Sequence, residues 1–272
     1  MSKIAFENEI IIVDNQGIPQ NYINGQLASQ TVIDVIQKKV SHLISQGGIA
    51  VELDACQIEM RNMGPKDSLQ QAQDELVELF QVVESTLRDD FGLYISQSVV
   101  PSQDYDPQCS NVDRYCLIHN ALLSLGHDYR KATNIAGIHI NIDSTLQEYF
   151  HINNFVHGLY FENDYQKLGI SSNRLYQYQK AVNGVNQSLG MNLNPTTVLF
   201  DSLDQMQNTI LDEAGEPKFD YGFTRLKRLG NQYVAEIRTF DGGVNTNDLI
   251  DKTTKAYSLV QDFRKQFINL TN

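Results

Sequence analysis

Acidic residues and one histidine lie inside segments that otherwise have the composition of β-strands. These segments are Phe6-Glu7-Asn8-Glu9-Ile10, Glu52 with Glu59, Ala136-Gly137-Ile138-His139-Ile140-Asn141, Ala235-Glu236-Ile237-Arg238 and, more weakly, Ser172-Asn173-Arg174. A buried carboxylate without a partner is strongly unfavourable, so a core strand has no reason to carry one. The pattern predicts strands that bring their acids together around something cationic.

Length and charge narrow the class of protein. The chain has 272 residues and no linker rich in Pro, Gly or Ser, so we expect a single domain over residues 1–272. The net charge of −12 and the sequence pI near 4.8 argue against nucleic acid or an anionic membrane as a partner. Whether the chain forms a homo-oligomer is left open.

The compartment is predicted from the first residues and the cysteines. Met1-Ser2-Lys3 leads directly into an apolar strand pattern without the features of a secretory signal, and no window is apolar enough to span a bilayer. We therefore expect a cytoplasmic protein. Its cysteines, Cys56, Cys109 and Cys116, are predicted to be reduced thiols, buried as small hydrophobes.

Hydrophobic periodicity predicts alternating strands and helices. The predicted strands are Ile4 to Val13, Ile49 to Met60, Leu93 to Val100, Asn134 to Asp143, and a hairpin of Phe219 to Arg228 with Gln232 to Phe240. The predicted helices cover 29–46, the segment from Ser68 to Gly92, 113–128, 145–160, 174–190, 202–214 and Asp248 to Phe267, with an exposed loop over 101–111. This order predicts an α+β fold with a mostly antiparallel sheet and helices on one face.

Two pairs of charged residues stand at i and i+2 on predicted strands. Glu7 and Glu9 would project from one face and could bracket a divalent ion. Glu236 and Arg238 would place a metal ligand beside a group that binds phosphate. The alternatives are a solvated strand face for the first pair and a surface ion pair for the second.

Glu52 and Glu59 are seven residues apart, an odd number that places them on opposite faces of a straight strand. A bulge or bend near Ala55-Cys56 is required if both acids serve one site. His139 and Asn141 share a strand face opposite three isoleucines, so that face is not packed core. Neutral histidine and asparagine suit a metal and phosphate site.

Four of these motifs together resemble the carboxylate–amine ligase superfamily, which has the glutamine-synthetase-like fold, and most closely its glutamate–cysteine ligase branch. The matching motifs are E-x-E at Glu7-Asn8-Glu9, the acid seven residues before Glu59, G-[IV]-H-x-N at 137–141, and E-[IV]-R at 236–238 followed by Asp241. Each motif is weak alone, but their order and strand context agree from residue 6 to residue 241.

The resemblance implies a sheet curved into a half-funnel with helices on its outer face, and ATP bound with two or three Mg²⁺ ions, Mn²⁺ being an alternative. The implied metal ligands are Glu7, Glu9, Glu52, Glu59, His139 and Glu236. Arg238 would contact the transferred phosphoryl group and act with Glu236 in catalysis, whereas Asn141 and Arg174 would help to bind the cofactor and substrate carboxylate.

The chain also departs from the glutamate–cysteine ligase pattern. No glycine precedes Glu7-Asn8-Glu9, and 272 residues is short for that branch, so we expect the segments that build the amino-acid pockets to be reduced or absent. In size the chain resembles the compact phage-type carboxylate–amine ligases of the same superfamily. We expect small-molecule carboxylate and amine substrates, such as amino acids or peptides.

The predicted reaction is ATP-dependent amide formation through an acyl phosphate, which needs the charge neutralisation that Mg²⁺ ions and an arginine provide. The sequence contains neither a Walker A loop nor a Rossmann glycine fingerprint. Two alternatives remain: a phosphotransferase of related fold, and a module that binds ATP and metal without catalysis.

Overall fold

The structure is a computed structural model that describes residues 3–96, 107–124, 136–168, 199–218 and 222–271. Its strands are β1 (Ile4–Val13), β2 (Tyr22–Ile23), β3 (Gln26–Leu27), β4 (Ile49–Val51), β5 (Gln57–Arg61), β6 (Tyr94–Ser96), β7 (Gly137–Ser144), β8 (Thr224–Leu229) and β9 (Gln232–Asp241). Its helices are α1 (Ala28–Lys39), α2 (Ser41–Ser45), α3 (Leu69–Thr86, extended by a π-helical turn at Leu87–Phe91), α4 (Asp113–Ser124), α5 (Leu146–Phe161), α6 (Tyr165–Leu168), α7 (Leu203–Ile210) and α8 (Thr246–Thr271).

One antiparallel sheet organises the described residues. Its strand order is β4-β5-β1-β7-β9-β8, and β6 also pairs with β1. Ile11 pairs with Gln57 of β5 and with Ser96 of β6, so β6 lies on the side of β1 that β7 occupies further along. The sheet curls into a half-barrel, which agrees with the α+β half-funnel predicted from the motifs. β1 lies near its centre.

The two faces of the sheet have opposite character. On β1 the side chains of Phe6, Ile10 and Ile12 are fully buried in the hydrophobic core, which also contains the apolar sides of α1, α3, α5 and α8. Residues between them on β1, including Glu7 and Glu9, project from the other face, because side chains alternate along a strand. The acids thus share one face, which we call the acid face.

The ends of α3 follow the sequence signals. Ser68 is the N-cap and accepts a hydrogen bond from the Gln71 backbone N–H, and Gly92 adopts the left-handed conformation where the helical segment ends. As predicted, Ser202 caps α7 with its side chain, but the helix ends at Ile210 and does not reach residue 214. The predicted helix over 174–190 and Arg174 lie outside the described residues.

The prediction of reduced thiols is wrong for two of the three cysteines. Cys109 and Cys116 form a disulfide, whereas Cys56 is a free, buried thiol as expected. Cys109 lies just before α4 and Cys116 lies in its first turn, so the start of the helix brings their Cα atoms to 5.6 Å. Of the predicted exposed loop over 101–111, residues 101–106 lie outside the described residues, and in the remainder Ser110 is fully buried.

The described helices are too short or too polar to span a bilayer. None of them combines the length and the apolar character needed to cross a membrane.

Candidate metal centre

The register of β1 places its two acids beside residues from both neighbouring strands. Glu7 pairs with His139 of β7, and Glu9 pairs with Glu59 of β5. Because paired residues in antiparallel strands project from the same face, three acids and the histidine converge on the acid face. Nothing local in these strands favours acids, so their convergence needs a cation.

Glu52 joins this face because the chain reverses between β4 and β5. Ala50 pairs with Glu59, and the Glu52 backbone N–H donates to the Gln57 carbonyl at 3.3 Å. The reversal at 53–56 places Glu52 and Glu59 on the same face of adjacent strands. The bend that the sequence required near Ala55-Cys56 is therefore present as a hairpin turn.

β9 brings Glu236 to the same site and contains a bulge. Glu236 pairs with Asn141, and the register then shifts so that Arg238 and Thr239 together oppose His139. Beyond the bulge, Phe240 returns to the core and Asp241 pairs with Gly137. The extra residue aims Arg238 at the site, where its Nε lies 3.9 Å from Glu236 Oε1.

The first ligand group consists of Glu7, His139 and Glu236, each offering one ligand atom within 4.8 Å of the others. His139 Nδ1 lies 3.1 Å from Glu7 Oε2 and 3.4 Å from Glu236 Oε1. Two further side chains reach this group. Asn141 Nδ2 donates to Glu7 Oε1 at 3.1 Å, and Lys227 of β8 lies against both carboxylates.

The second ligand group consists of Glu9, Glu52 and Glu59, again within 4.8 Å of one another. Glu9 Oε2 accepts a hydrogen bond from the Gly137 N–H at 3.0 Å. Tyr115 of α4 donates its hydroxyl to Glu52 Oε2 at 2.9 Å, so this helix reaches the acid face rather than the outer face. His139 Nε2 lies 3.5 Å from Glu9 Oε1 and connects the two groups.

The charges of the first group are compensated within the protein. Burial and the neighbouring Glu236 raise the pKa of Glu7, but hydrogen bonding to His139 and the Lys227 charge outweigh them and leave this pKa below its ordinary value. Burial opposes ionisation of Glu236 too, yet Arg238, His139 and Lys227 bring its pKa well below the ordinary range. Both carboxyls are therefore ionised at neutral pH.

The charges of the second group are compensated less. Burial and the Glu9 carboxylate raise the pKa of Glu52 to about 7, although Tyr115 and Arg238 oppose the shift. Burial together with Glu7, Glu52 and Glu9 raises the pKa of Glu59 well above its ordinary value, against the smaller effect of Arg61. Such carboxyls gain most from a bound cation.

His139 responds to the carboxylates around it. Burial and Arg238 lower its pKa, but Glu9, Glu236 and Glu7 outweigh them and raise the pKa to about 9. A divalent ion would take over the role of that proton, because histidine binds metals as the neutral imidazole. The same residue thus balances the acids as an imidazolium when no ion is bound.

The donor atoms suit hard divalent cations. Five carboxylates supply oxygen, the donor that Mg²⁺ and Mn²⁺ prefer, and one imidazole supplies nitrogen. Glu236 Oε2 is buried and accepts no hydrogen bond from the described residues. A buried carboxylate oxygen that accepts no hydrogen bond can bind an ion. The arrangement can therefore hold two cations side by side and present them to a polyanion.

Seven of the eight predicted site residues that the structure describes belong to the two groups or contact them directly, and Arg238 lies beside Glu236. The structure adds residues that the sequence analysis missed. Arg225 and Lys227 alternate along β8 with the buried residues Thr224 and Leu226, and this pattern could have identified them. Tyr115 had no such signal, since its contact depends on how α4 packs.

The fold has relatives among solved structures. The chain matches a bifunctional glutathione synthetase from Pasteurella multocida with a TM-score of 0.58 and 16 % identity, covering 95 % of this chain. It matches a glutamate–cysteine ligase from Francisella tularensis in complex with AMP with a TM-score of 0.55 and 15 % identity, covering 88 % of this chain. The fold is glutamine-synthetase-like. This agrees with the prediction from the four motifs.

The chain spans only part of each of these proteins, 38 % of the first and 61 % of the second. Neither a protein-family model nor a curated protein sequence matches it. At such low identity the likeness is one of fold, and the fold alone does not determine the chemistry of the acid face.

Proposed function

We propose that this protein is an ATP- and Mg²⁺-dependent carboxylate–amine ligase that forms an amide bond through an acyl phosphate. The observation that carries the proposal is the pair of adjoining ligand groups on one face of the sheet. Held in that arrangement, two ions would neutralise the phosphates of ATP so that a negatively charged carboxylate could approach. The fold shared with a glutamate–cysteine ligase supports the same reaction class.

The two groups have separate roles in this proposal. Glu7, His139 and Glu236 would hold one ion, and Glu9, Glu52 and Glu59 would hold a second. The bound ions supply charge neutralisation and orientation of the triphosphate. The described residues form two ligand groups and would therefore hold two ions. The resemblance to the ligase superfamily implies two or three.

Three positive side chains cluster at the β8 and β9 side of the acids, whereas Arg61 lies at the β5 side, 3.3 Å from Glu59. Arg225 and Lys227 project from β8, and Arg238 from β9, next to Glu236. The acids of the second group lie towards β4 and β5 at the other side of the sheet. This cluster of three cations supports placing the transferred phosphoryl group beside Arg238, whose planar guanidinium can contact two phosphate oxygens.

The reaction proceeds in two steps. A substrate carboxylate oxygen attacks the terminal phosphorus of ATP, the bond from that phosphorus to the ADP oxygen breaks, and ADP leaves with an acyl phosphate in place. The amine nitrogen then attacks the acyl carbon and loses a proton, and inorganic phosphate leaves as the amide forms. Amino acids or peptides are the substrates proposed, with Asn141 and Arg174 assisting in binding.

The test is amine-dependent release of ADP. Purified protein is incubated with ATP, Mg²⁺ and a panel of amino acids and dipeptides, and the products are searched for a new amide by mass spectrometry. Glu236→Gln, which keeps the shape of a buried ligand but removes its charge, should abolish product formation. Glu78→Gln, at an exposed position on α3, should leave it unchanged.

Each other outcome has a definite meaning. A phosphorylated product without an amide would identify a phosphotransferase. Tight binding of ATP and Mg²⁺ without any turnover across the panel would identify a binding module. Release of ADP that ignores every added carboxylate and amine would also overturn the ligase proposal.

A further inference from the structure

Lys227 occupies an unusual position within the first ligand group. Its Nζ lies 3.0 Å from Glu236 Oε1, 3.1 Å from Glu7 Oε1 and 3.2 Å from Asn141 Oδ1. These three oxygens belong to β9, β1 and β7, so the ammonium lies where three strands converge. A single cationic atom is thus held by oxygens from three directions, as a bound ion would be.

The charges and contacts fit a substitute for a metal ion. An ammonium is a compact point charge with three donors, and here it meets two carboxylates and one amide oxygen. Glu236 Oε1 also lies 3.4 Å from His139 Nδ1, so Lys227 and His139 contact the same carboxylate oxygen. A divalent ion bound by Glu7 and Glu236 would come too close to this ammonium, and like charges repel.

Lys227 can also withdraw. It lies on β8, the last strand of the sheet, and its side chain is 22 % exposed, whereas that of Glu236 is 2 % exposed. A flexible stem of methylene groups lets a lysine head move into water while its backbone stays in the sheet. The carboxylates have no comparable freedom, so an incoming ion would displace the lysine and leave the acids in place.

We infer that Lys227 is an internal cation that holds Glu7 and Glu236 together without metal and competes with the divalent ion for the first ligand group. When an ion displaces it, the ammonium moves towards the open edge of β8, on the strand face that also carries Arg225. There its positive charge would face a phosphate, and this second role rests on the proposed function. The competition itself depends only on the acids and the ion.

The experiment measures Mn²⁺ binding without nucleotide or substrate. Glu52→Gln is introduced first to weaken the second group, so that titration calorimetry and the electron paramagnetic resonance of free Mn²⁺ report the first group. In that background Lys227→Met should tighten Mn²⁺ binding by about tenfold or more, a typical coupling between competing ligands. Lys227→Arg, which keeps the charge, should not tighten it.

Lys66→Met is the matched control. Lys66 is 23 % exposed and pairs with Glu75 at 2.7 Å, so it has similar burial and an acidic partner but lies away from the two ligand groups. Its substitution should leave the Mn²⁺ affinity unchanged. Lys227→Gln is a second neutral variant, and it can retain a hydrogen bond to Asn141.

The possible results separate this inference from the ligase proposal. Unchanged or weaker Mn²⁺ binding in both neutral Lys227 variants would overturn the inference, whatever the enzyme activity. If the neutral variants fold only when Mn²⁺ is added, the two acids need a cation, which supports it. Failure to fold even with Mn²⁺ would mean that Lys227 has a role the ion cannot replace, and would overturn it.

Discussion

Glu52 shows how a single carboxyl makes the stability of this protein depend on pH. Its pKa is about 7 in the folded protein because burial and Glu9 disfavour the charged form, compared with an ordinary value of 4.5. His139 has a pKa of about 9, raised from 6.5. A group whose pKa is raised by folding stabilises the fold below its unfolded pKa, and that stability is lost as pH rises through the folded pKa.

We therefore expect the metal-free protein to lose stability between pH 5 and pH 8, the window in which Glu52 ionises and His139 approaches its own pKa. The shift of Glu59 acts in the same direction. Melting followed by circular dichroism in a chelator should show a midpoint that falls by several degrees across this range. Glu7 and Glu236, whose pKa values are lowered, would destabilise the fold only at more acidic pH.

Glu52→Gln provides the control for that profile. The amide does not ionise, so the melting midpoint of the variant should depend less steeply on pH and should exceed that of the natural chain near pH 8. Saturating Mg²⁺ should flatten the profile of the natural chain, because the ion replaces the lost proton. A midpoint that rises from pH 5 to pH 8 without metal would contradict the assignment.

At the scale of elements, Gly242 lies where the end of β9 approaches β1. A methyl group at this position would lie 2.8 Å from the Glu9 carbonyl oxygen and 3.3 Å from Ala136, so backbone would have to move. Gly242→Ala should destabilise the protein by about 2 kcal/mol, as overpacking usually does. It should also weaken Mn²⁺ binding, because Glu9 belongs to the second ligand group.

The matched substitution is Gly158→Ala in α5, where the added methyl group meets nothing within 4 Å. It should stabilise the protein by about 0.5–1 kcal/mol through helix propensity. Chemical denaturation of both variants measures the difference. Equal stabilities would mean that β9 and β1 can separate more freely than the contact indicates.

The disulfide fixes the segment that carries Tyr115. Gln108 and Ser110 exchange backbone hydrogen bonds with Ala55 and Leu53, in the turn just after Glu52. Cys116→Ser should cost about 2 kcal/mol, since the bond closes a short loop. Denaturation with and without reductant tests this: reductant should destabilise the natural chain and leave the variant unchanged. Equal stability of the two proteins in oxidising buffer would contradict it.

Regular strands were the part of the site that the sequence could predict. Glu7 and Glu9 on β1, and His139 with Asn141 on β7, follow strict alternation, so their shared face was visible in the spacing. The spacing of Glu52 and Glu59 predicted a bulge or a bend between them, but it could not show that this bend is a hairpin turn. The disulfide and the contact of Tyr115 with Glu52 depend on packing between distant segments, which periodicity does not encode.

At the scale of the whole molecule, the ligands come from almost the full length of the described chain, from Glu7 to Glu236. Ions bound by these two ligand groups would stabilise only the folded state. At a hundredfold excess over its dissociation constant the ion should add about 2.7 kcal/mol, or roughly 5–10 °C in melting midpoint.

Thermal melts in Mn²⁺ and in chelator measure this gain. A double substitution that removes charge from both ligand groups, Glu59→Gln with Glu236→Gln, should abolish the difference between the two conditions. Further melts in Ca²⁺ and in Mg²⁺ rank these ions by the increase in melting midpoint that each produces. Identical midpoints with and without metal in the natural chain would show that the two groups hold no ion.

The order of the strands was beyond what local patterns could predict. β1 lies between β5 and β7, and β9 joins β7 to β8, so neighbours in the sheet are separated by up to four of the described helices in the chain. Such pairings depend on the common burial of apolar faces, such as those of Phe6, Ile58 and Ile140. Only the resemblance of the combined motifs predicted the curled sheet, which the structure confirms.

The bulge in β9 makes the count of residues in that strand as important as their identity. Glu236 and Asp241 are separated by an odd number of positions, and only the doubled residue opposite His139 lets both project from the acid face. A deletion of one of the two bulged residues would restore a regular ladder in which Phe240 still opposes Ile138 and Asp241 still opposes Gly137, but it would remove the local bend of β9 beside Arg238. Homologous chains that keep the chemistry should therefore tolerate substitutions at Thr239 far better than a gap.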